Sequence, residues 1–296
     1  MTVTLSQSTS DSRSGMRAAT AIVREIISTP GGAIGFAIVF LILACAALAP
    51  LIATHNPDAL DIAHRFAAPS ATHFLGTDQL GRDVFSRQVY GSRVAMVVAL
   101  SAILTGLFAG VILGVAAAYT TPLIERLVMT AFDAVSSFPS IILALALVAV
   151  VGPSLPMIVL IVAVTLVPQF GRVVRAQVLS VIHSTFIEAE LVLGATKSRI
   201  LAFHVVPNVL APVVVLAAME VPVVIALEAG LSFLGLGIRP PLASWGSLLQ
   251  DGYQNMSKGY TPVVVACLVL AIATLGFTLC GEALRDAIDP RSRRRD

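Results

Sequence analysis

Six stretches of this chain carry almost nothing that water favours: residues 35–53, 94–118, 138–151, 157–174, 209–230 and 262–281. Each reaches about 20 residues, alone or with its flanks, which is the length a helix needs to cross roughly 30 Å of hydrocarbon. The runs are continuously apolar rather than alternating, which argues against barrel strands. In lipid every backbone amide must find its partner within its own segment, so helices are predicted. The third run is the shortest and spans only by recruiting residues from Phe132 onward. Composition agrees: 57% of residues are hydrophobic and 12% charged, against roughly 25% charged in an ordinary soluble domain. The expectation is an all-α membrane protein with six transmembrane helices.

Lys and Arg set the orientation. With the amino terminus inside, the outer connections hold only Arg65, Arg82, Arg87, Arg93, Arg239 and Lys258 of the 19 basic residues. The excess on the other side predicts both termini in the cytoplasm. The four arginines of the first outer loop are accompanied by Asp58, Asp61, Asp78 and Asp83, and Asp83 with Arg87 has the i,i+4 spacing of a helical pair. Ala47-Leu48-Ala49 resembles a cleavage site, but the apolar run before it is too long for a signal peptide and polar residues precede it. Residues 1–32 are read as a cytoplasmic tail. Its first fifteen residues are Ser- and Thr-rich and expected to be unstructured. From Met16 to Ile27 one apolar helical face suggests an interfacial helix ended by Pro30-Gly31-Gly32. Residues 33–288 form the membrane domain and 289–296 a basic cytoplasmic tail.

The stretch from Phe186 to Asn208, FIEAELVLGATKSRILAFHVVPN, breaks the apolar pattern. Hydrocarbon does not hold Glu188, Glu190, Lys197 and Arg199 at tolerable cost, so this stretch lies in water or against a partner protein. Glu188 to Leu193 are good helix formers, Gly194 permits a left-handed turn, Thr196 can cap a second short helix, and Pro207 is expected to end it before the fifth span. Two carboxylates, Glu220 and Glu228, fall inside that span, where such groups face a bundle interior or a watery cavity. Either Glu lining a transport path or a polar network within the fold accounts for them. Pro212 and Pro222 can kink the helix around Glu220.

Other chemistry is not signalled. Cys45, Cys267 and Cys280 lie in apolar spans as packing residues. His55, His64 and His73 recur every nine residues, which matches no usual ligand spacing, so they read as solvated loop histidines and no metal site is expected. There is no phosphate-binding G-x-x-x-x-G-K-[ST], no nucleophile elbow and no zincin signature, so no ATPase site and no enzyme activity of its own. Four tyrosines and one tryptophan give no stacking platform for nucleic acid.

Glu188-Ala189-Glu190, three residues, Gly194, nine residues and His204-Val205-Val206-Pro207 resemble the EAA loop of the inner-membrane permeases of ABC importers. Glu190 departs from the family's Ala and His204 from its Ile. His204 to Asn208 resembles the dipeptide, oligopeptide and nickel branch. So do Leu75-Gly76-Thr77-Asp78 with Leu80-Gly81-Arg82-Asp83, Tyr90 to Arg93, Ala226 to Ala229, Leu231 to Gly237, Ser244-Trp245-Gly246 and Leu284 to Pro290. The resemblance runs from about Ile34 to Arg291.

That resemblance implies a permease subunit in a bacterial or archaeal inner membrane, forming half of a translocation pathway for peptides or related small solutes, nickel chelates included. The stretch between helices four and five becomes a coupling helix, with Glu188, Ala189, Gly194, Pro207 and Asn208 as its determinants. The implied partners are a second homologous permease, two ABC ATPase subunits that hydrolyse the ATP, an extracytoplasmic solute-binding protein and membrane lipid. No cofactor is implied for this chain. The outer segments 57–93 and 239–260 are the implied contact surfaces for the binding protein. Two other classes make different demands: an ion-coupled secondary transporter would show broken repeats, and an intramembrane enzyme would show a nucleophile and base at matching depth.

Overall fold

The computed structural model describes residues 20–288. The expected disordered stretch 1–15, the start of the interfacial helix and the basic tail 289–296 lie outside the described residues. Within them the fold is helical, and extended pairing is limited to one bridge between Thr77 and Asp83. A helix over residues 20–28 (α1) gives way at Thr29 to α2 (Pro30–Ala47). The first helix ends directly before Pro30-Gly31-Gly32 as expected, and the same three residues open the next helix. Thr29 Oγ1 accepts from the Gly32 amide at 3.1 Å, and Pro30 fits the first turn, where its missing N–H costs nothing.

After a short α3 (Ala49–Ile52) and the first outer loop come α4 (Val84–Tyr119), α5 (Pro122–Ser136), α6 (Ser140–Val151) and α7 (Leu155–Ile182). Two small helices, α8 (Thr185–Val192) and α9 (Lys197–Ile200), precede a π turn (Leu201–Val205) and α10 (Val206–Phe233). α11 (Trp245–Gln254) and α12 (Thr261–Ile288) complete the described chain.

Five helices are long and apolar enough to cross a membrane, and a sixth span exists only if α5 and α6 are counted together. These two meet at 90°. Phe132 is therefore not recruited into a straight third span as expected. The break falls at Ser137-Phe138-Pro139, where a proline disfavours helix at the residue before it. α6 alone has 12 residues, about 18 Å at 1.5 Å per residue, well short of the hydrocarbon thickness.

The core is built on α4 and α7, which approach through a stripe of small residues. A methyl group on Gly110 would stand 2.6 Å from Phe170 Cβ, and one on Gly114 would stand 2.5 Å from the Gly171 carbonyl oxygen. Three glycines four residues apart, Gly106, Gly110 and Gly114, thus let two spans pack backbone to backbone, as van der Waals contact must drive association where lipid is as apolar as the side chains. The α2 and α12 pair repeats the device at Gly35, beside the Cys280 backbone, and Gly276, beside Ile38. α5 is tied to the C-terminal half of α7 by Arg172 to Asp133 at 2.9 Å and by Arg175 to Glu125.

α4 has 36 residues, about 54 Å, and begins ten residues before the predicted span. Its first turns stand beyond the apolar stretch and are covered by the preceding loop and by α11. The segment 239–260 packs against this part of α4: the Trp245 indole is buried and donates to the Gln88 carbonyl at 3.1 Å, against Gly91 of α4.

Candidate functional site

α8 projects from the end of α7 and is held by single apolar anchors. Ile187 and Ile200 are each 1% exposed and join the core formed by Val178, Val205 and Val209. The opposite surface is bare: Val192 is 87% and Leu193 82% exposed, and Phe186, Glu188 and Ala189 are exposed beside them. Gly194 ends the helix at φ +85° with open space around it, a backbone conformation that an L side chain adopts only under strain. The Ala195 amide then reaches back to the Glu190 carbonyl at 3.0 Å. Helix, left-handed turn and second helix match the sequence expectation.

Beyond Ile200 the chain departs from that expectation. Pro207 does not end the second helix; α9 runs through the π turn into α10, and Pro207 lies in the first turn of α10. The π turn widens the hydrogen-bond ring, with the Val206 amide donating to the Leu201 carbonyl, so the chain absorbs a residue that has no N–H. The Asn208 side-chain amide donates to the His204 carbonyl at 2.7 Å. His204 and Glu190, the two departures from the common motif, face each other at 3.7 Å, and Phe186 meets the His204 ring edge-on. Pro207 and Asn208 are exposed on the same side.

The two intramembrane carboxylates part company. Glu220 is buried and its Oε1 accepts from Gln169 Nε2 of α7 at 2.7 Å. Gln169 in turn lines a cavity of about 420 Å³ with Thr165, Arg172, Ser136 and Ser140. Glu220 thus reaches this polar space through Gln169 instead of lining it directly. Pro168, one residue before Gln169, and Pro222, two residues after Glu220, lie inside their helices. Glu228 is fully buried, accepts from Ser232 Oγ at 2.6 Å, and Ser232 Oγ accepts from the Ile238 amide at 3.2 Å. Its setting is a packed turn between α10 and α11. Sequence reasoning misses Gln169 and Arg172, although polar residues inside the run 157–174 are an available signal.

The loop between α3 and α4 is a closed polar structure. Gly76 and Gly81 adopt φ +74° and +76°, and Asp78 sits between them. Its carboxylate accepts from the Leu80 and Arg82 amides and from Arg82 Nε at 2.7 Å, with Arg87 Nε 3.6 Å away. Arg82 continues to Asp251 of α11, and Arg87 to the Pro57 carbonyl and Asp58. The expected side-chain pairing of Asp83 with Arg87 does not form. Asp83 instead caps α4, accepting from the Ser86 amide and hydroxyl at 2.8 and 2.7 Å and from His73 at 2.9 Å. Burial pushes the Asp83 carboxyl up, but the Ser86 and His73 hydrogen bonds outweigh it and hold the group below the usual carboxylate range. His73 is therefore not a solvated loop histidine as expected, being half-buried against Asp83, whereas His55 and His64 are exposed, His64 pairing with exposed Asp61 at 2.8 Å.

Comparison with known proteins gives these sites a setting. A family model described as the binding-protein-dependent transport system inner membrane component matches residues 106–294. The chain belongs to that family. The model for the N-terminal transmembrane domain of oligopeptide transport permease C matches residues 22–69 of this permease. The dipeptide transport system permease protein DppC of Alkalihalophilus pseudofirmus is 38% identical over 258 residues, covering 87% of this chain and 85% of its own. The glutathione transport system permease protein GsiD of Pectobacterium atrosepticum is 36% identical over 75% of this chain and 74% of its own. Among solved structures, an inward-facing MetNI methionine ABC transporter matches with TM-score 0.55 and 22% identity over 69% of this chain and 96% of its own, a likeness of fold. This permease is a multi-pass cell-membrane protein.

Proposed function

We propose that residues 33–288 form half of the translocation pathway of an ATP-driven importer of peptides or related small solutes, with both termini and α8 in the cytoplasm. The observation that carries this reading is the bare surface around α8: Phe186, Glu188 and Val192 of the helix and Leu193 just after it are exposed, while Ile187 of α8 and Ile200 of α9 are buried in the core. An apolar knob on a rigid stem has the form of an element that seats in the groove of a motor subunit and moves with it. Glu188, Ala189 and Gly194 make that contact, and Pro207 with Asn208 shape the stem.

Two ATPase subunits close on ATP and displace α8 in this chain and its counterpart in a second, homologous permease. The displacement tilts α10 against α7, where Glu220 and Gln169 meet beside the polar cavity. Solute delivered by a binding protein on the outer face enters between the two permeases. Gln169 and Arg172 offer hydrogen bonds to a peptide there, and Glu220 holds Gln169 in position. The relatives named as dipeptide and glutathione permeases support a solute with peptide bonds. ATP is hydrolysed by the partners, and this chain supplies no ATPase chemistry.

Single cysteines at positions 188 and 194 test this directly. Cross-linking in membranes containing the whole transporter is expected to capture an ATP-hydrolysing subunit. Failure to capture one, or labelling of position 188 only from the extracytoplasmic side, would sink the reading.

A further inference from the structure

The loop between α3 and α4 brings together three metal-ligating side chains from distant chain positions. His73 Nδ1 lies 2.9 Å and His55 Nδ1 3.9 Å from the same Asp83 oxygen, Oδ1. All three donor atoms fall within 4.8 Å of one another. Metal-ligand bonds of roughly 2.0–2.1 Å at tetrahedral angles put neighbouring donors about 3.3 Å apart, so small side-chain adjustments bring these three around one ion.

The surroundings are those of a prepared ligand set. Asp83 is nearly fully buried, and its other oxygen, Oδ2, is occupied by the Ser86 amide and hydroxyl, which leaves Oδ1 aimed at the imidazoles. Outer hydrogen bonds of this kind fix the orientation of a ligating carboxylate. The two rings stack at 4.6 Å with 28° between their planes, and both Nδ1 atoms lie on the side of Asp83 Oδ1. His55 Nδ1 is too far from Oδ1 for a hydrogen bond and is placed as a co-ligand would be. It also lies 3.0 Å from Thr54 Oγ1, a contact it gives up on coordination. His73 offers Nδ1 by carrying its proton on Nε2 instead.

We propose that His55, His73 and Asp83 form a resident divalent transition-metal site of the zinc class, which ties the end of the first span to the first turn of α4. Two imidazoles and one carboxylate are a donor set suited to Zn²⁺, with water completing the tetrahedron. The ion acts as a cross-link: it joins residue 55, residue 73 in mid-loop and residue 83 at the helix cap. It stiffens the outer surface without taking part in transport chemistry. His64, with only Asp61 as partner, lacks a third donor and serves as the internal control.

The test uses the full chain purified in detergent without a polyhistidine tag and stripped with chelator. Titration with Co²⁺ as a spectroscopic probe is expected to give a visible band that saturates at one equivalent and is displaced by Zn²⁺. Since losing a supporting partner of a ligand already costs about 10–100-fold in affinity, His55→Gln and His73→Gln are each expected to weaken binding at least tenfold. His64→Gln is expected to leave it unchanged. Both histidine substitutions leave in place the Ser86 amide and hydroxyl bonds to Asp83 Oδ2 that cap α4. Zn²⁺ is also expected to raise the unfolding midpoint of the unaltered chain, a readout that needs no variant. A titration without a one-equivalent endpoint, the same affinity in the double variant, or a midpoint indifferent to Zn²⁺ each overturns the site.

Discussion

Between the first two spans the charged side chains of Asp78, Arg82 and Arg87 are buried against one another; between α7 and α10 the apolar side chains of Val192 and Leu193 stand in the open. Each connection inverts the usual placement of its residues. Charge normally goes to water because desolvating it costs several kcal/mol per ion, and the outer loop offsets that cost internally with a second partner for every group. Apolar surface normally goes inside, and α8 leaves it unmatched. The loop before α4 satisfies its charges within this chain, whereas on the proposed function the connection through α8 is completed by a second protein. A motif read from sequence can thus mean either an architecture finished in itself or one half of an interface.

The contrast can be broken by substitution. Asp78→Ala removes the buried partner shared by two guanidinium groups, leaving only the more exposed Asp251 and Asp58, and is expected to cost about 3–5 kcal/mol, read as a collapse of the thermal unfolding midpoint of the purified chain. A small shift would mean that the outer network is solvated after all. Gly194→Val places a β-branched residue at φ +85° and is expected to cost about 1–3 kcal/mol locally while ATP-driven uptake falls to background in proteoliposomes. Uptake surviving that change would remove the turn from the coupling path. Val192→Ala with Leu193→Ala is expected to leave stability within about 0.5 kcal/mol per site, as for exposed positions generally, yet to slow uptake and weaken ATPase association. Equal loss of stability and of uptake would erase the distinction between the two connections. The smallest effect is expected at Glu220→Gln, which keeps an acceptor for Gln169 but removes the charge. Uptake should slow several-fold with assembly intact, and unchanged rate and affinity would exclude Glu220 from the pathway.

Much of this architecture is legible in the residues. The apolar runs locate five spans, and the spacing from Glu188 through Gly194 specifies the two short helices with their left-handed turn. Other features are hidden for physical reasons. Arg82 and Arg87 read as water-facing because charge rarely lies buried, so the sequence pattern starts α4 ten residues late and pairs Asp83 with the wrong side chain. His55 and His73 are 18 positions apart and meet through the path of the loop as a whole, which no helical or ligand spacing encodes. Pro139 signals the bend between α5 and α6, but the continuous apolarity on either side masks it. Pro207 is a misleading stop, since a π turn is set by tertiary fit and leaves no mark in propensity. Glu220 and Glu228 look alike as carboxylates in one span; only packing separates a group linked to a cavity from one that holds a turn.

The uninterrupted helical path from Leu201 to Phe233, 33 residues or about 50 Å, has a mechanical corollary. With the helix continuous from Leu201 onward, a twist that crosses the turn at residues 193–196 would be carried along the whole rod, turning Glu220 relative to α7 midway and Glu228 at the far end. On the proposed coupling, helix stiffness would set the gearing between fuel and gate, and softening the rod near Pro212 or Pro222 would let the motor idle.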